Sequence, residues 1–354
     1  MSTSRPIRKS DLIGGTRLVA DAAAGITDLV EAMHARITSV PVVRPARDDE
    51  RTHGLTGLVY GTVRATMRLV GSGVEALLDR AMPDDHGEGS HARREALVAV
   101  LNGVVGDHLT RTANPLATPM TLRSGDEALP DDPAELAATL AGAESGAVLL
   151  LHGLCMNDLQ WSRAGRDLGT EIGRDLGLTP LRLRYSSGLH VSINGRALAE
   201  RLEQLVERWP RRLDRLVLIG HSMGGLVARS AVHHGREAGP RWPARLTAMV
   251  FLGTPHQGAP LEQIGGWLDV VVGATPWVAP FARLGRMRSA GITDLRHGSL
   301  LDEDRADGAA ASPRSTRHRR LPLPQGPRCH AIAASLARAE RHLSAAPVGA
   351  GLVP

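Results

Sequence analysis

The residues with the clearest chemical potential lie at 220–224, where the sequence reads GHSMG. The pattern Gly-x-Ser-x-Gly is weak on its own, but an apolar strand predicted over 215–220 runs into it and a helix predicted over 223–234 runs out of it. A serine on such a strand-to-helix turn needs small neighbours, and the turn lifts its hydroxyl above the sheet edge. The helix N-terminus favours negative charge that develops beside it. We therefore predict that Ser222 is the nucleophile of a covalent mechanism.

A second motif, VLLLHGLC, occupies 148–155, about 70 residues before the serine. The continuous apolar run over 146–151 predicts a strand that is buried on both faces. The turn after such a strand supplies one backbone N–H of an oxyanion hole, here that of Leu154, and the residue after the nucleophile, Met223, supplies the other. We expect His152 to be structural, because a triad base follows the serine along the chain.

A third motif, FLGTPHQGAP, occupies 251–260 and closes the next strand, which is predicted over 246–252. Together, LLLHGL, IGHSMGG and FLGTPHQG resemble the lipase and esterase branch of the α/β-hydrolases, which includes GPI inositol-deacylase-like and bacterial triacylglycerol-lipase-like proteins. The resemblance runs from about Pro115 to the C-terminus. It implies a mostly parallel sheet flanked by helices, hydrolysis of carboxylic esters, and chemistry without a metal or an organic cofactor. It also implies that His256 lies near the site without being the triad base.

The catalytic acid and base stay unassigned at this point. In the lipases that this chain resembles, the acid falls in a Gly-Asp-Gly-Leu-Val segment and the histidine follows it. The matching segment here, 349–353, has Ala350 in the place of the acid, and the sequence ends at Pro354. We therefore expect the hydrolase domain to be incomplete at its C-terminus, and this chain to be a weak esterase or inactive.

Other residues after the serine could replace the missing pair. His342 follows the last predicted strand and could act with Asp302 or Asp304, although an acidic run is usually a solvated loop and His342 fits a solvated helix. Asp294, His297 and His330 are further alternatives, and we expect His330 to be packed within the strand predicted over 329–334.

The organisation of the chain divides it in two. Residues 1–112 show helical periodicity, with helices predicted over 11–37, 55–82 and 93–109. Residues 113–354 alternate apolar strands with helices, including one predicted over 157–176, as an α/β-hydrolase domain does. A cap-like insertion is expected at about 260–300. Three of its aromatic residues could contact an acyl chain: Trp267, Trp277 and Phe281.

Composition narrows the classes of partner. The chain has 42% hydrophobic residues, 3% aromatics and a formal charge of +5. The scarce aromatics argue against a nucleic-acid groove, and the two cysteines show no metal-ligand spacing, so we expect neither nucleic acid nor metal. No secretory signal and no apolar run of eighteen residues is visible. The sequence predicts a cytoplasmic protein with a small-molecule or lipid ester as its substrate, and leaves its oligomeric state open.

Two alternatives to a carboxylic-ester hydrolase remain. The N-terminal helices could bind a lipid surface, with peripheral membrane contact, or a partner, while the attached hydrolase domain is catalytically impaired. These helices could equally pack as a bundle on the hydrolase domain. An acyltransferase would share the nucleophile turn and exclude water, and the sequence does not separate it from a hydrolase.

Overall fold

The computed structural model describes residues 11–18 without 12, 92–259 without 164 and 240, 289–304, and 321–333. The chain divides into two compact units. One comprises Met1–Gly89 with Leu109–Leu116, and the other comprises Ser90–His108 with Ala117–Pro354. Of the described residues, 92–108 thus fall in the same unit as the sheet. Within the described stretches, no helix combines the length and apolar character needed to cross a membrane.

A seven-stranded sheet, with the order β2-β1-β6-β3-β7-β8-β9, forms the centre of the second unit. The neighbours from β6 to β9 pair in parallel, whereas β1 pairs antiparallel with both β2 and β6. A short hairpin, β4-β5, forms a separate two-stranded sheet. The strands are β1 (Thr121–Ser124), β2 (Glu127–Ala128), β3 (Gly146–Leu151), β4 (Ser162–Arg163), β5 (Arg166–Asp167), β6 (Thr179–Arg184), β7 (Arg215–His221), β8 (Leu246–Leu252) and β9 (Arg328–Ile332).

Strand β3 lies at the middle of the sheet, and all six of its residues are buried, as its continuous apolar sequence predicts. Val148 and Leu150 pack with Val217 and Ile219 of the neighbouring β7 in one apolar cluster. Because side chains alternate along a strand, these four residues share one face of the sheet. This buried centre fixes the positions of the turns that follow β3 and β7.

Helices follow the strands in the alternating order expected of an α/β fold. Helix α5 contacts β7, β3 and β8, α3 contacts β6 and β3, and α4 packs against α5. The helices are α1 (Ala92–Arg111), α2 (Pro133–Thr139), α3 (Leu168–Leu176), α4 (Val191–Arg208), α5 (Met223–Ala238) and α6 (Ala290–His297).

The helix predicted over 157–176 is wrong in its first half. Asn157 caps a single 3₁₀ turn at Asp158–Trp161, and the β4-β5 hairpin then reverses the chain at Gly165, whose φ is +77°. A left-handed residue interrupts a helix, so the helix restarts only at Leu168, where the Asp167 carboxylate accepts a hydrogen bond from the Thr170 N–H.

Helix α1 confirms the helix predicted over 93–109, and its residues 92–108 belong to the unit that contains the sheet. Two small residues bring it close to the strand ends: a Cβ on Gly103 would lie 2.3 Å from the Cys155 Sγ, and one on Gly106 would lie 2.3 Å from the Ser186 Oγ. A kink at Val105 interrupts the helix, and the Gly103 carbonyl accepts a hydrogen bond from the Ser289 hydroxyl at 2.6 Å. This helix therefore supports the loops at the carboxyl ends of the strands.

A buried ion-pair network joins α1 to the same end of the sheet. Arg184, the last residue of β6, contacts Glu95 of α1 at 2.9 Å and Asp158 at 2.5 Å. Asp158 is fully buried and also contacts Arg123 at 3.0 Å. A buried carboxylate needs such partners, because an uncompensated charge would be costly.

Candidate active site

The turn between β7 and α5 holds Ser222 in a strained backbone conformation. Its φ is +50° and its ψ is −120°, values that favour glycine and that a residue with a Cβ adopts only when its surroundings impose them. The surroundings are defined by two hydrogen bonds: the Ser222 N–H donates to the Leu252 carbonyl at 2.8 Å, and the Gly225 N–H donates to the Ser222 carbonyl at 3.1 Å. The side chain is half-buried, as a nucleophile reached from solvent must be.

Glycines make this turn sterically feasible. A Cβ on Gly220 would lie 2.4 Å from the Gly225 nitrogen, and one on Gly224 would lie 2.4 Å from the Leu151 carbonyl oxygen. At Gly225 an added Cβ would lie 2.1 Å from the Thr254 Oγ1. Any side chain at these positions would therefore push the helix away from the strands that it touches.

The turn after β3 lies beside Ser222. A Cβ on Gly153 would come within 3.2 Å of the Ser222 Cβ. Two residues later, Cys155 has a φ of +56°, and its N–H donates to the Ser187 hydroxyl at 3.0 Å. The Met156 N–H donates to the Gly153 carbonyl at 3.3 Å. Leu154, Cys155 and Met156 have consecutive N–H groups in this turn. That of Leu154 takes part in no hydrogen bond with the described residues.

Met223 is the first residue of α5 and is fully buried. Its N–H belongs to the first turn, where no carbonyl of the same helix is available as an acceptor. The sequence singled out these two N–H groups: Met223 directly follows Ser222, and Leu154 follows Gly153, which lies against the Ser222 Cβ. Their role as oxyanion donors remains a prediction.

His152 is held in place by three contacts in this turn. Its Nδ1 faces the Gly153 carbonyl at 2.9 Å and must donate to it, since a carbonyl only accepts. Its ring stacks on Tyr185 with the centroids 4.2 Å apart, and the Tyr185 hydroxyl donates to the His152 carbonyl at 2.7 Å. Burial lowers the pKa of His152 to about 4, so the imidazole is neutral at physiological pH. These contacts match the structural role expected for it.

His256 lies on the turn after β8 and has a partner that is unsuited to a triad base. Arg229 donates from Nη1 to the His256 Nδ1 at 3.0 Å, because a guanidinium has no acceptor. A triad histidine instead donates from Nδ1 to a carboxylate. Burial, with Arg229 as a further cause, lowers the pKa of His256 to about 4. His256 is therefore a poor general base, in keeping with what the resemblance implies.

The two acids proposed from the sequence each accept two hydrogen bonds from nearby groups. Asp302 accepts hydrogen bonds from the Ser192 hydroxyl at 2.6 Å and from Arg196 at 2.7 Å. Asp304 accepts the N–H groups of Leu300 and Leu301 at 2.7 and 2.9 Å. The Asp302 contacts connect a loop to α4, and the Asp304 contacts close a turn. Both carboxylates therefore have structural partners.

Asp294 forms a histidine–carboxylate pair that the sequence did not predict. The His190 Nδ1 donates to the Asp294 Oδ2 at 3.0 Å, and the Val191 N–H donates to the same oxygen at 2.8 Å. His190 begins α4 without a capping bond from its own side chain, so Asp294, from α6, caps that helix across the fold. His190 precedes Ser222 in the sequence, contrary to the chain order of this fold's triads.

Several predicted residues lie outside the described residues. These are His342, Ala350, Trp267, Trp277 and Phe281, together with most of the expected cap and the helix predicted over 55–82. His330 lies in β9 but is exposed, so the expectation that it would be packed is wrong. Strand β9 is the last strand in the sheet order and pairs only with β8 among the described strands, and four of its five residues are exposed.

The strand order, with the strained serine between β7 and α5 and the turn after β3 beside it, is that of the α/β-hydrolase fold. Residues 191–276 match the family model described as "PGAP1-like alpha/beta domain". This match, over about a quarter of the chain, and the strand order agree with the resemblance seen in the three motifs.

Known proteins are similar over limited parts of the chain. A "Probable alcohol acetyltransferase" of Saccharomyces cerevisiae is 31% identical over 113 residues, which cover 31% of this chain and 29% of the yeast protein. A lipase of Bacillus licheniformis is 20% identical over 54% of this chain and 66% of its own, with a TM-score of 0.33. A Rhodococcus 2-hydroxy-6-oxo-6-phenylhexa-2,4-dienoate hydrolase is 16% identical over 61% of this chain and 90% of its own, with a TM-score of 0.31. Structural similarity at this level adds nothing to the assignment of the fold.

Proposed function

We propose that this chain is a serine hydrolase that acts on carboxylic esters of small molecules or lipids. The observation that carries the proposal is the strained conformation of Ser222 at the start of a helix. Strain of about 1–3 kcal/mol persists in a folded protein only where the structure imposes it, and such residues cluster at active sites.

In the proposed reaction, the Ser222 Oγ attacks the acyl carbon of the ester while its proton passes to a general base. The carbonyl oxygen becomes an oxyanion, to which the Leu154 and Met223 N–H groups donate. The carbon–oxygen bond to the alcohol then breaks, and the alcohol leaves with a proton. Water attacks the acyl-enzyme, releases the acid and restores the serine. His342, with Asp302 or Asp304, remains the proposed alternative for the base and its partner.

The turn after β3 supports this mechanism through its rigidity. Cys155 has a left-handed backbone that Ser187 holds by a hydrogen bond, and Tyr185 holds the carbonyl of His152. Donors that are fixed before the reaction stabilise the transition state more than mobile donors, and losing one typically lowers the rate 10²–10³-fold. Ser187 and Tyr185 would thus position the Leu154 N–H without contacting the substrate.

The test is covalent labelling of the full chain with a fluorophosphonate, which reacts with activated serines. We expect one label per chain, located on Ser222 by mass spectrometry and absent from Ser222→Ala. Ser145→Ala is the matched control, because Ser145 is exposed and precedes β3. Labelling of Ser222→Ala at the parent rate would remove Ser222 from this role.

An acyltransferase is the second candidate, supported by the named activity of the yeast protein with which 113 residues align. In that case an alcohol, instead of water, would take the acyl group from Ser222. The two activities are separated by adding ethanol to an assay with an activated acetyl ester. An acyltransferase forms the new ester in excess over acetate, whereas a hydrolase forms mainly acetate.

A further inference from the structure

The last turns of α5 carry three potential metal ligands on one side of the helix. Within the described part of the chain, His233, His234 and Glu237 form the one group of three such residues whose ligand atoms all lie within 4.8 Å of one another. The His233 Nε2 lies 3.3 Å from the Glu237 Oε1, and the His234 Nδ1 lies 3.8 Å from the Glu237 Oε2. Residues three and four apart on a helix are neighbours, so Glu237 faces both imidazoles.

These distances fit a tetrahedral cation. Zn²⁺ binds imidazole nitrogen and carboxylate oxygen at about 2.0–2.2 Å. Two ligands of a tetrahedron with such bonds are separated by roughly 3.3–3.5 Å, which is close to the distance between His233 and Glu237. The second distance requires only a small rotation of Glu237, whose side chain is 65% exposed.

The three residues line a groove of about 860 Å³ between α4 and the end of α5. Six carboxylates and two guanidinium groups line this groove, so its charge attracts cations. Arg241 pairs with Glu203 and Glu207, and Arg196 pairs with Asp302. The C-terminal end of α5 adds the negative end of a helix dipole.

We propose that His233, His234 and Glu237 bind a divalent transition-metal ion, with Zn²⁺ as the best fit. Imidazole with carboxylate suits zinc better than magnesium or calcium, which prefer oxygen ligands alone. Three protein ligands leave one position open, for water or for Glu303, which also lines the groove. The cluster contains no cysteine, so the spacing of the two cysteines does not indicate it.

The proposed metal has a structural role and does not take part in the chemistry at Ser222. His233 follows Ser222 by eleven positions in the same helix, which separates them by roughly 16 Å along its axis. A bound ion would fix the end of α5, where the Trp242 ring packs against Gly235 and the Trp242 backbone N–H donates to the Glu203 carboxylate at 3.1 Å. The proposal therefore stands whether or not the chain hydrolyses esters.

The experiment is titration of the metal-free full chain with Zn²⁺ by calorimetry and with Co²⁺ by visible absorption. We expect one ion per chain, a Co²⁺ spectrum of tetrahedral intensity, and a melting temperature that rises with Zn²⁺. His233→Asn and Glu237→Gln should each weaken binding at least tenfold. His330→Asn is the matched control, because His330 is exposed on β9 and should leave binding unchanged.

Two results would overturn the proposal. One is a parent chain that binds Zn²⁺ no more tightly than His233→Asn, with both proteins folded by circular dichroism. The other is an octahedral Co²⁺ spectrum, which indicates adventitious coordination by water and carboxylates. The rate of fluorophosphonate labelling should be the same with and without a chelator. This control tests the reactivity of Ser222 independently of metal binding.

Discussion

Gly224 lies directly against the carbonyl oxygen of Leu151, since a Cβ built on Gly224 would come within 2.4 Å of that oxygen and 2.6 Å of the His152 oxygen. The first turn of α5 therefore touches the end of β3 backbone to backbone. This contact joins the turn that holds the serine to the turn that carries the other proposed oxyanion donor.

The first prediction is that Gly224→Ala destabilises the protein by about 1–3 kcal/mol, because the new methyl group overpacks a rigid backbone contact. It should also slow fluorophosphonate labelling of Ser222 by displacing α5 from β3. Thermal unfolding and the labelling rate measure the two effects. Gly142→Ala is the control, since nothing lies within 4 Å of an added Cβ there. Equal behaviour of the two variants would show that the contact is not tight.

The second prediction separates strain from chemistry at the nucleophile. Ser222→Gly should abolish labelling and raise the free energy of unfolding by about 1 kcal/mol, because glycine adopts a φ of +50° without strain. Ser222→Ala should abolish labelling without this gain, because alanine keeps the Cβ. Denaturant unfolding of both variants measures the difference. If the glycine variant is no more stable than the alanine variant, the turn is not strained.

The third prediction concerns Ser187 as a positioning residue. Ser187→Ala removes the acceptor of the Cys155 N–H and should slow the labelling of Ser222 about tenfold, through a less ordered turn after β3. If an ester is turned over, kcat should fall more than KM rises. The adjacent Ser186→Ala is the matched control, because the Ser186 hydroxyl contacts the Asn102 carbonyl of α1 at 3.5 Å and not the turn. Equal rates for the two variants would contradict the assignment.

The fourth prediction is a pH dependence of stability from His152. Its pKa is lowered to about 4 by burial, so the unfolded chain, with a pKa near 6.5, binds the proton more readily. Above about pH 6.5 His152 is neutral in both states, and the free energy of unfolding keeps its full value. As the pH falls to about 4, protonation of the unfolded chain lowers the free energy of unfolding by roughly 3 kcal/mol. NMR titration of the histidine signals, assigned with His152→Gln, tests this directly. An imidazole of His152 that titrates near 6.5 in the folded protein would contradict it.

The fifth prediction concerns the acids taken from the sequence. Asp304→Asn should cost about 1 kcal/mol of stability, because its carboxylate accepts two backbone N–H groups. Asp304→Asn should leave the labelling rate of Ser222 unchanged, and His342→Ala should leave it unchanged as well. A loss of turnover by orders of magnitude in both variants, with folding retained, would establish Asp304 and His342 as the catalytic pair.

The sequence predicted those parts of the fold that depend on apolar pattern. β3 and β8 begin and end at the predicted residues, because a continuous apolar run in a buried strand stops where polar residues begin. The helix predicted over 157–176 was wrong in its first half because the prediction relied on helical periodicity. It did not take into account the turn at Gly165 or the capping residue Asp167, which together start the helix at Leu168. At the candidate site, the motif predicted a strand-to-helix turn at Ser222, and the structure has that turn.

Contacts between distant segments could not be predicted in this way. The hydrogen bond from the Cys155 N–H to the Ser187 hydroxyl joins residues that are 32 positions apart in the sequence. The hydrogen bond from the Val191 N–H to the Asp294 carboxylate, which caps α4, joins residues that are 103 positions apart. Hydrophobic periodicity does not indicate which serine or aspartate side chain will form a hydrogen bond with which distant backbone group. One local signal was available: Tyr185, Ser186 and Ser187 directly follow a strand, where the carboxyl ends of parallel strands gather functional residues.

The burial of Cys155 has a practical consequence for spectroscopy. The chain contains two cysteines, and the thiol of Cys155 lies under α1 with a pKa raised to about 12 by burial. A maleimide needs an accessible thiolate and should therefore react at Cys329, which is partly exposed on β9. The native sequence thus offers one site for a fluorophore or spin label on the strand next to β8, without any substitution.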